Sequence, residues 1–380
     1  MRETAGAIAR LAFDAAVLAL APRPARAAAT CVVLLGAIGD FVLSTGTLRR
    51  IADGRRAAGA RVVLVANALW ADWARGMDLA DEVWAIEPAR LDADYAYRAQ
   101  WLRRLRAAGF AEALQPVHSR TALAGDALVR ASAAPSRVGS AGDGANTPPW
   151  LKRRADGWFT VLVDCGGAGR MELLRHADFL RGAGFPDAAP AAPDLRAHRG
   201  DPPPGLEGLA YAVLAPGAGA AWRAWPATSF AEIARRLAAR GIAPVLAGAP
   251  SDRAAADALR RAYGGELRDF TGRCSLGETA SLLAGARIVV ANESGPAHIA
   301  AAMGVPVVAL LGGGHYGRFL PYPPEAASPA PPGFALRRMD CYGCNWNCIH
   351  PRAAGEPVRC IRDIGVEDAW REIEARLARG

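Results

Sequence analysis

The segment Asn292-Glu-Ser-Gly-Pro-Ala-His298 combines residue types that suit the binding of an anion. It follows an apolar run that predicts a strand, and it opens a helical stretch. Gly295 permits close approach of a ligand to the backbone, and Pro296 suits the first turn of a helix. Backbone N–H groups and the helix dipole attract phosphate there, and His298 can reach the same anion. The alternative is an ordinary strand–turn–helix connection with a polar cap.

A second glycine-rich turn, Pro216-Gly217-Ala-Gly219, precedes Arg223. A turn of this kind followed by a fixed arginine suits a diphosphate, because the guanidinium presents a bidentate fork. An arginine ahead of a helix is more often a plain surface charge, so this turn alone is a weak indication of a site.

A third turn, Gly36-Ala-Ile-Gly39-Asp40, directly follows the apolar run Cys31–Leu35. Ligands of open parallel sheets bind at the carboxyl ends of the strands, where glycines allow tight turns. A nicotinamide enzyme would carry G-x-G-x-x-G here and an acid at the end of the second strand. The third glycine spacing is missing and Asn67 ends that strand, which disfavours this class. On spacing alone, Asp40 is either a group of the site or the cap of the next helix.

Four of the seven cysteines lie in one C-terminal stretch: Cys341, Cys344, Cys348 and Cys360. Thiolates at this spacing can close a tetrahedral Zn or Fe site. The alternative is a packed loop with free thiols. Since the pattern is not a disulfide framework spread over a small secreted domain, a reducing cytoplasm fits it better.

Short apolar runs alternate with helical stretches in both halves of the chain, which predicts βαβ units around parallel sheets. We expect one Rossmann-like domain over 30–195 and a second over 205–380, joined by the Pro- and Gly-rich stretch 187–208. Two capping boxes, at Ser229/Glu232 and Ser275/Glu278, predict helix starts in the second half.

Residues 1–29 predict an amphipathic helical extension, retained and packed on the protein or on the inner membrane face. Five apolar residues fall on its stripe: Ile8, Leu11, Ala12, Ala15 and Leu18. A cleaved secretory signal is the alternative, disfavoured by Glu3 and Asp14.

Length and charge narrow the class of protein further. A chain of 380 residues with 52% hydrophobic residues is globular and long enough for two domains. The net charge of +8 and the pI near 9.4 favour anionic partners, namely nucleotide phosphates, a membrane surface, an acidic glycolipid or nucleic acid. No apolar run approaches the ~20 residues that span a bilayer.

Taken in order, the turns resemble glycosyltransferase family 9, the ADP-heptose:lipopolysaccharide heptosyltransferases. The resemblance runs from about Cys31 to the end of the chain. It rests on a set of short motifs: Pro216-Gly217, Arg223-Ala-Trp225-Pro226, Ala247-Gly-Ala-Pro250, Phe270-Thr271-Gly272, Asn292–His298 and Gly304–Gly312.

This resemblance implies an α/β fold of GT-B type, in which two Rossmann-like domains face each other across a cleft. It implies an inverting transfer of heptose, or a related sugar, from a nucleotide-sugar, ADP-heptose, without a catalytic metal. The acceptor would be a hydroxyl of a glycan, a glycolipid or a protein. The enzyme would be cytoplasmic or peripheral on the inner membrane, with no nucleic-acid partner. A four-cysteine iron site of similar kind occurs in some heptosyltransferases that act on autotransporter proteins.

The resemblance also implies roles for individual residues. Asp40 corresponds to the general base that deprotonates the acceptor hydroxyl, and Arg223 stands where the family has a basic residue on the nucleotide phosphates. The remaining binding residues that it suggests are Gly39, Pro216, Gly217, Thr271, Gly272, Glu293, Ser294, Gly295 and His298. Without a metal, Arg223, His298 and the helix N-terminus must carry the charge of the leaving diphosphate.

Glu293 replaces the Asp that is common in the family's turn, which leaves the sugar donor more open than the fold. A competing class is a non-enzymatic, metal-stapled module that binds anionic glycan or nucleic acid. It fits the basic charge and the cysteines, but it leaves Asp40 and the Asn292–His298 turn unexplained.

Overall fold

The computed structural model describes residues 2–22, 25–328 and 330–378. The chain divides into two compact units. Unit 1 runs to Gly167 and includes Leu174–Pro190, and unit 2 comprises Ala168–Leu173 and the chain from Ala191 onward. The change of unit at Pro190 falls inside the Pro- and Gly-rich stretch 187–208.

Unit 1 contains a six-stranded, all-parallel sheet in the order β3-β2-β1-β4-β5-β6. Its strands are β1 (Ala27–Leu34), β2 (Arg61–Asn67), β3 (Glu82–Ile86), β4 (Phe110–Gln115), β5 (Ser136–Ser140) and β6 (Val161–Val163). Val32 of β1 pairs with Leu64 of β2 on one side and with Leu114 of β4 on the other. The apolar runs of the sequence are thus the central strands, which are covered on both faces.

The helices of the first half follow the strands in alternation. They are α1 (Arg2–Leu20), α2 (Ile38–Ala57), α3 (Ala68–Arg75), α4 (Pro88–Ala93), α5 (Tyr95–Ala107), α6 (Ala127–Ser132), α7 (Pro149–Asp156) and α8 (Glu172–Gly182). Among the described helices, none has both the length and the apolar character that crossing a membrane requires.

Helix α1 packs on α5, and the apolar stripe expected from the sequence is correct for Leu11 and Leu18 but wrong for its other three residues. Ile8 is 55% exposed, and Ala12 and Ala15 are also exposed. The inward face instead carries Ala7, Leu11, Asp14, Val17 and Leu18. Asp14 is 1% exposed and binds the guanidinium of Arg98 at 2.6 Å. The inward face of this helix thus carries a buried ion pair, which hydrophobicity alone does not reveal.

Unit 2 repeats the architecture with the strand order β12-β11-β10-β7-β8-β9, again all parallel. The strands are β7 (Tyr211–Ala215), β8 (Ala243–Leu246), β9 (Arg268–Asp269), β10 (Ile288–Asn292), β11 (Val307–Leu310) and β12 (Gly333–Ala335). The helices are α9 (Ala227–Ala238), α10 (Arg253–Tyr263), α11 (Leu276–Ala284), α12 (Gly295–Ala302), α13 (Arg359–Arg362) and α14 (Val366–Leu377).

Numbered within its own unit, each sheet has the order 3-2-1-4-5-6, which is the doubly wound Rossmann arrangement. The prediction of two Rossmann-like halves is therefore confirmed. In such sheets, ligands bind outside the carboxyl ends of the strands where the strand order reverses. In unit 2 that point lies between β7 and β10, which pair directly, with Ala291 beside Ala215.

Candidate functional site

Asn292, the last residue of β10, joins the two glycine turns of unit 2. Its Nδ2 donates to the carbonyl of Pro216 at 2.7 Å, and its Oδ1 accepts from the backbone N–H of Trp225 at 2.9 Å. The side chain is 1% exposed, so these bonds replace water that the amide has lost. The turn after β7 and the turn after β10, far apart in sequence, are thereby held side by side at the switch point.

The Pro216–Gly219 turn is shaped by close approach of the backbone to a carboxylate. A Cβ on Gly217 would overlap the side chain of Asp252, which accepts a hydrogen bond from Ala249 N–H at 2.9 Å. Gly219 takes a φ of +69°, a region that favours glycine. The sequence expectation that glycines shape this turn is met for these physical reasons.

Ser294 and Gly295 form the N-terminus of α12. The hydroxyl of Ser294 turns back and donates to the carbonyl of Asn292 at 3.1 Å, and it does not cap the helix. Pro296 occupies the first turn and has no N–H to satisfy. The helix thus begins without a side-chain acceptor on its N–H groups, which suits an anionic ligand.

His298 lies in the first turn of α12 and is 3% exposed. Its Nδ1 lies 3.2 Å from the hydroxyl of Tyr322, and the two rings stack at a centroid distance of 6.1 Å. Burial lowers the pKa of His298 to about 4. The buried imidazole is therefore neutral at neutral pH and would meet an anion with a hydrogen bond, and its predicted role at the leaving diphosphate stays a prediction.

Glu293 is a half-buried carboxyl group that interacts electrostatically with two arginines of unit 2. Burial raises its pKa to about 8, while the charges of Arg223 and Arg318 act in the opposite direction. Its Oε1 is shielded from solvent and has no hydrogen-bond partner among the described residues. Arg318 in turn is bound by Glu172, Nε to Oε1 at 2.8 Å. Glu293 thus keeps a polar atom available beside the turn.

Arg223 ends a short 3₁₀ helix, Ala221–Arg223, after the Pro216–Gly219 turn. Its guanidinium carbon lies 4.5 Å from the ring centre of Trp222 and 4.6 Å from that of Trp346. Its Nε is buried without a hydrogen-bond partner among the described residues, and burial lowers the pKa of the guanidinium. Arg223 is therefore a stacked and partly desolvated cation beside Glu293, rather than a plain surface charge.

Thr271 and Gly272 are placed differently from each other. Thr271 is fully buried, so its side chain has no surface to offer a ligand. Gly272 has a φ of +67° and donates to the carbonyl of Gly248 at 2.8 Å. A ligand contact at this turn would therefore involve the backbone around Gly272, and the role of Thr271 stays a prediction.

Asp40 lies in the first turn of α2, in unit 1. Its Oδ2 accepts a hydrogen bond from the backbone N–H of Ala37 at 2.9 Å, and a Cβ on Gly36 would overlap the carboxylate. Ser44 donates to the carbonyl of Asp40 at 2.7 Å. Gly39 lies inside α2 without a positive φ. The capping role that the spacing allowed is confirmed, while the role of Asp40 as a base stays a prediction.

The end of β2 shows why the dinucleotide pattern fails. Asn67 donates through Nδ2 to the carbonyls of Leu35 and Gly36, and its Oδ1 accepts from Leu69 N–H at 3.0 Å. The amide therefore fixes the turn after β1 and caps α3. A nicotinamide enzyme would carry a carboxylate here that binds a ribose hydroxyl, whereas this chain has an amide that holds the turn in place.

The four clustered cysteines line one small cavity in unit 2, together with His350. The cavity has room of about 10 Å³, the scale of a single water-sized sphere. Burial raises the pKa of Cys341 and of Cys360, and the neighbouring thiols act in the same direction. Gly313 N–H donates to Sγ of Cys360 at 3.4 Å.

Potential ligand atoms also approach one another at the rim of this cavity. In the part of the chain that the structure describes, those of Asp340, Cys341 and His350 all lie within 4.8 Å of each other. All seven cysteines, each within the described residues, are free thiols. The structure therefore brings Cys341, Cys344, Cys348 and Cys360 to one cavity, although no three of their sulfur atoms lie within 4.8 Å of one another in the described residues. It adds His350 as a donor that the cysteine spacing does not suggest.

Two residues of this region escape sequence reasoning. The sequence marks Asn292 only as the start of a turn. An amide at the end of a buried strand is nevertheless a signal that its side chain binds the backbone of a neighbouring turn. Trp346 carries no signal of its own within the cysteine loop. Its contact with Arg223 joins residues 123 positions apart, and no sequence pattern brings such residues together.

A family model matches this chain over residues 120–328, more than half of its length. Two Rossmann sheets, the second with two glycine turns at its switch point, are typical of nucleotide-binding α/β proteins. The matching model is glycosyltransferase family 9 (heptosyltransferase), and the chain belongs to that family.

Known proteins resemble this chain either over a short segment or over most of its length at low sequence identity. Lipooligosaccharide heptosyltransferase 2 of Haemophilus influenzae is 40% identical over 92 residues, which are 23% of this chain and 27% of that relative. The match therefore spans about a quarter of the relative's length. Two solved structures share the fold. E. coli heptosyltransferase WaaC with ADP-2-deoxy-2-fluoro heptose has a TM-score of 0.64 at 18% identity, covering 91% of this chain and 99% of that one.

The iron-containing dodecameric glycosyltransferase TibC of enterotoxigenic E. coli has a TM-score of 0.52 at 17% identity, covering 94% of this chain and 80% of that one. At these identities the likeness shows the fold, which is the two-domain α/β fold of GT-B type.

Proposed function

We propose that this protein is an inverting heptosyltransferase that transfers heptose, or a related sugar, from ADP-heptose to an acceptor hydroxyl. Membership of glycosyltransferase family 9 supports this activity, as does the similarity to a lipooligosaccharide heptosyltransferase. The observation that supports this proposal most strongly is the pair of hydrogen bonds made by the side chain of Asn292. Shortly ahead of the N-terminus of α12, that side chain binds the carbonyl of Pro216 in the glycine turn and the N–H of Trp225, two residues after Arg223.

On the donor side, the diphosphate would lie against the N-terminus of α12 and the guanidinium of Arg223. Backbone N–H groups and a fixed guanidinium stabilise the charge that develops on a leaving diphosphate. His298 would donate or accept a hydrogen bond as a neutral ring, since its pKa lies near 4. The available Oε1 of Glu293 would accept from a hydroxyl of the ribose or the sugar.

On the acceptor side, Asp40 is the proposed general base. A carboxylate that removes the proton of the acceptor hydroxyl allows that oxygen to attack the anomeric carbon as the diphosphate leaves. Oδ2 already binds Ala37 N–H, which fixes the orientation of the carboxylate from within its own helix. The acceptor class proposed is a hydroxyl of lipopolysaccharide, of a related glycan or of a protein, reached in the cytoplasm or at the inner membrane surface.

The cysteine cavity is proposed to hold one structural Zn or Fe ion. The four thiols and the imidazole of His350 line the same cavity of about 10 Å³, and the ligand atoms of Cys341 and His350 lie within 4.8 Å of each other. No three of the four sulfur atoms are that close in the described residues, so an ion would draw them together on binding. Sulfur-rich donor sets select Zn or Fe. The Nε2 atom of His350 is shielded from solvent and has no partner among the described residues, as expected of a ligand atom.

Isothermal titration with ADP, UDP, GDP and CDP, in buffer with EDTA, tests the donor assignment. We expect ADP to bind without divalent metal and the other nucleotides more weakly. Arg223→Ala should cost about 1.5–3 kcal/mol of ADP binding, as the loss of charge-assisted hydrogen bonds does. Binding that requires Mg²⁺, or equal binding of all four nucleotides, would contradict the proposal.

A further inference from the structure

Arg223 contacts two indole rings that come from different parts of unit 2. Trp222 precedes it in the chain, and Trp346 belongs to the loop between Cys344 and Cys348. The guanidinium carbon lies 4.5 Å and 4.6 Å from their ring centres, and the two indoles meet edge to face at 5.4 Å. The cysteine loop therefore contacts the cation that we assign to the diphosphate.

The backbone of Trp346 is held in an unusual conformation to make this contact. Its φ is +64°, a left-handed value that is rare for a bulky residue. Such a conformation persists only where the surroundings enforce it, and it clusters at functional sites. The indole Nε1 is shielded from solvent and has no hydrogen-bond partner among the described residues. The ring is thus placed for its contact with Arg223 at the expense of its own hydrogen bond.

The loop that contains Trp346 packs against a run of three glycines, 312–314. A Cβ on Gly312 or on Gly314 would overlap the indole of Trp346. The loop is fixed to the same run by backbone bonds, from Gly343 N–H to Gly313 O at 2.8 Å and from Asn345 N–H to Gly314 O at 2.9 Å. Glycine at these positions therefore lets the loop lie flat on the end of β11.

We propose that Trp346 is a positioning residue for Arg223, through which the cysteine loop sets the affinity of the protein for the diphosphate of its ligand. This inference rests on the nucleotide site proposed above. A guanidinium packed against two rings is held in one orientation and loses little rotamer freedom on binding. Without Trp346, Arg223 regains that freedom, and each diphosphate contact becomes weaker.

The test compares ADP with adenosine, because only ADP carries the groups that Arg223 would bind. For Trp346→Leu we expect ADP affinity to fall about 3- to 30-fold, the range that a cation–π contact supplies, with adenosine affinity unchanged. Trp346→Phe keeps an aromatic face and should retain most of the ADP affinity. In an Arg223→Ala background, Trp346→Leu should have no further effect on ADP binding.

Trp370→Leu is the matched control. Trp370 is a residue of α14, and its ring centre lies 4.7 Å from the guanidinium carbon of Arg240 in the same unit. It should lower the melting temperature and leave ADP affinity unchanged. Parallel melting curves for all variants separate a loss of folding from a loss of positioning.

The outcomes separate the two proposals. If the wild-type protein does not bind ADP, the proposed nucleotide function is wrong and this inference is wrong with it. If the wild type binds ADP and Trp346→Leu binds it equally well, the inference alone is overturned. Equal losses for ADP and adenosine, or additive losses with Arg223→Ala, would also overturn it, because a general structural role predicts those results.

Discussion

The carboxylate of Asp40 caps its own helix and is also the proposed general base. One substitution separates these two roles. Asp40→Asn keeps the length and an acceptor oxygen for Ala37 N–H, so α2 should remain capped and the melting temperature should hardly change. An amide cannot take the acceptor's proton, so turnover should fall roughly 10²- to 10⁴-fold. ADP affinity should stay constant, because the proposed phosphate contacts lie in unit 2. Turnover, calorimetry and melting curves check the three expectations, and an active variant would reduce Asp40 to a cap.

Glu293 should make the stability of the protein depend on pH in a recognisable direction. Burial raises its pKa to about 8 in the folded state, whereas its ordinary value is 4.5. Between these values the unfolded chain has lost the proton that the folded chain still holds, so stability falls as pH rises from about 4.5 and levels off above about 8. We expect the wild type to lose about 1–3 kcal/mol over this window relative to Glu293→Gln.

Urea unfolding of both proteins at pH 5.5, 7.0 and 8.5 measures this effect. Other titrating groups, such as His298, cancel in the difference between the two proteins. Parallel pH profiles for the wild type and Glu293→Gln would show that Glu293 is ionised throughout, and they would contradict a raised pKa for this carboxyl group.

At the scale of elements, the sequence reveals what apolar patterning controls. The central strands β1, β2 and β7 are predictable because they are buried apolar runs, and Ser275 with Glu278 caps α11 as expected. The edge strands β6 and β9 have three and two residues, so they leave no periodic pattern to read. The capping box at Ser229 is wrong, because α9 already begins after Pro226 and Ser229 lies inside it.

Helix α1 provides a prediction about an element held by a buried charge. Arg98 is bound by both oxygens of Asp14 and donates to the carbonyl of Leu123 at 2.7 Å. Removing one partner leaves an uncompensated buried charge, so Asp14→Ala should cost about 3–5 kcal/mol of unfolding free energy. The double variant Asp14→Leu/Arg98→Met replaces both charges and should cost far less. Urea unfolding of the two variants measures the contrast. Similar losses in both would show that packing, rather than the ion pair, holds α1.

At the scale of the molecule, one sheet architecture occurs twice. Both sheets have the order 3-2-1-4-5-6, and in both an asparagine at a strand end binds the carbonyls of a neighbouring glycine turn: Asn67 in unit 1 and Asn292 in unit 2. The sequence alternation predicts this duplication, because it depends on apolar periodicity. The contacts that distinguish the units could not be predicted, since each joins residues that are distant in the chain.

The cysteine cavity leads to a prediction about the stability of the whole protein. If Cys341, Cys344, Cys348 and Cys360 hold one Zn or Fe ion, elemental analysis of the purified protein should find about one metal per chain. Cys344→Ser should lower that content, whereas Cys274→Ser, which changes a cysteine outside the cavity, should not.

Metal binds the folded state, so its removal should destabilise the protein. A loss of about 3 kcal/mol lowers the melting temperature of a domain of this size by roughly 6–12 °C, and the loss should be reversed by adding back the metal. Protein that contains no metal as purified and melts identically with and without a strong chelator would show that the four cysteines are ordinary packed thiols.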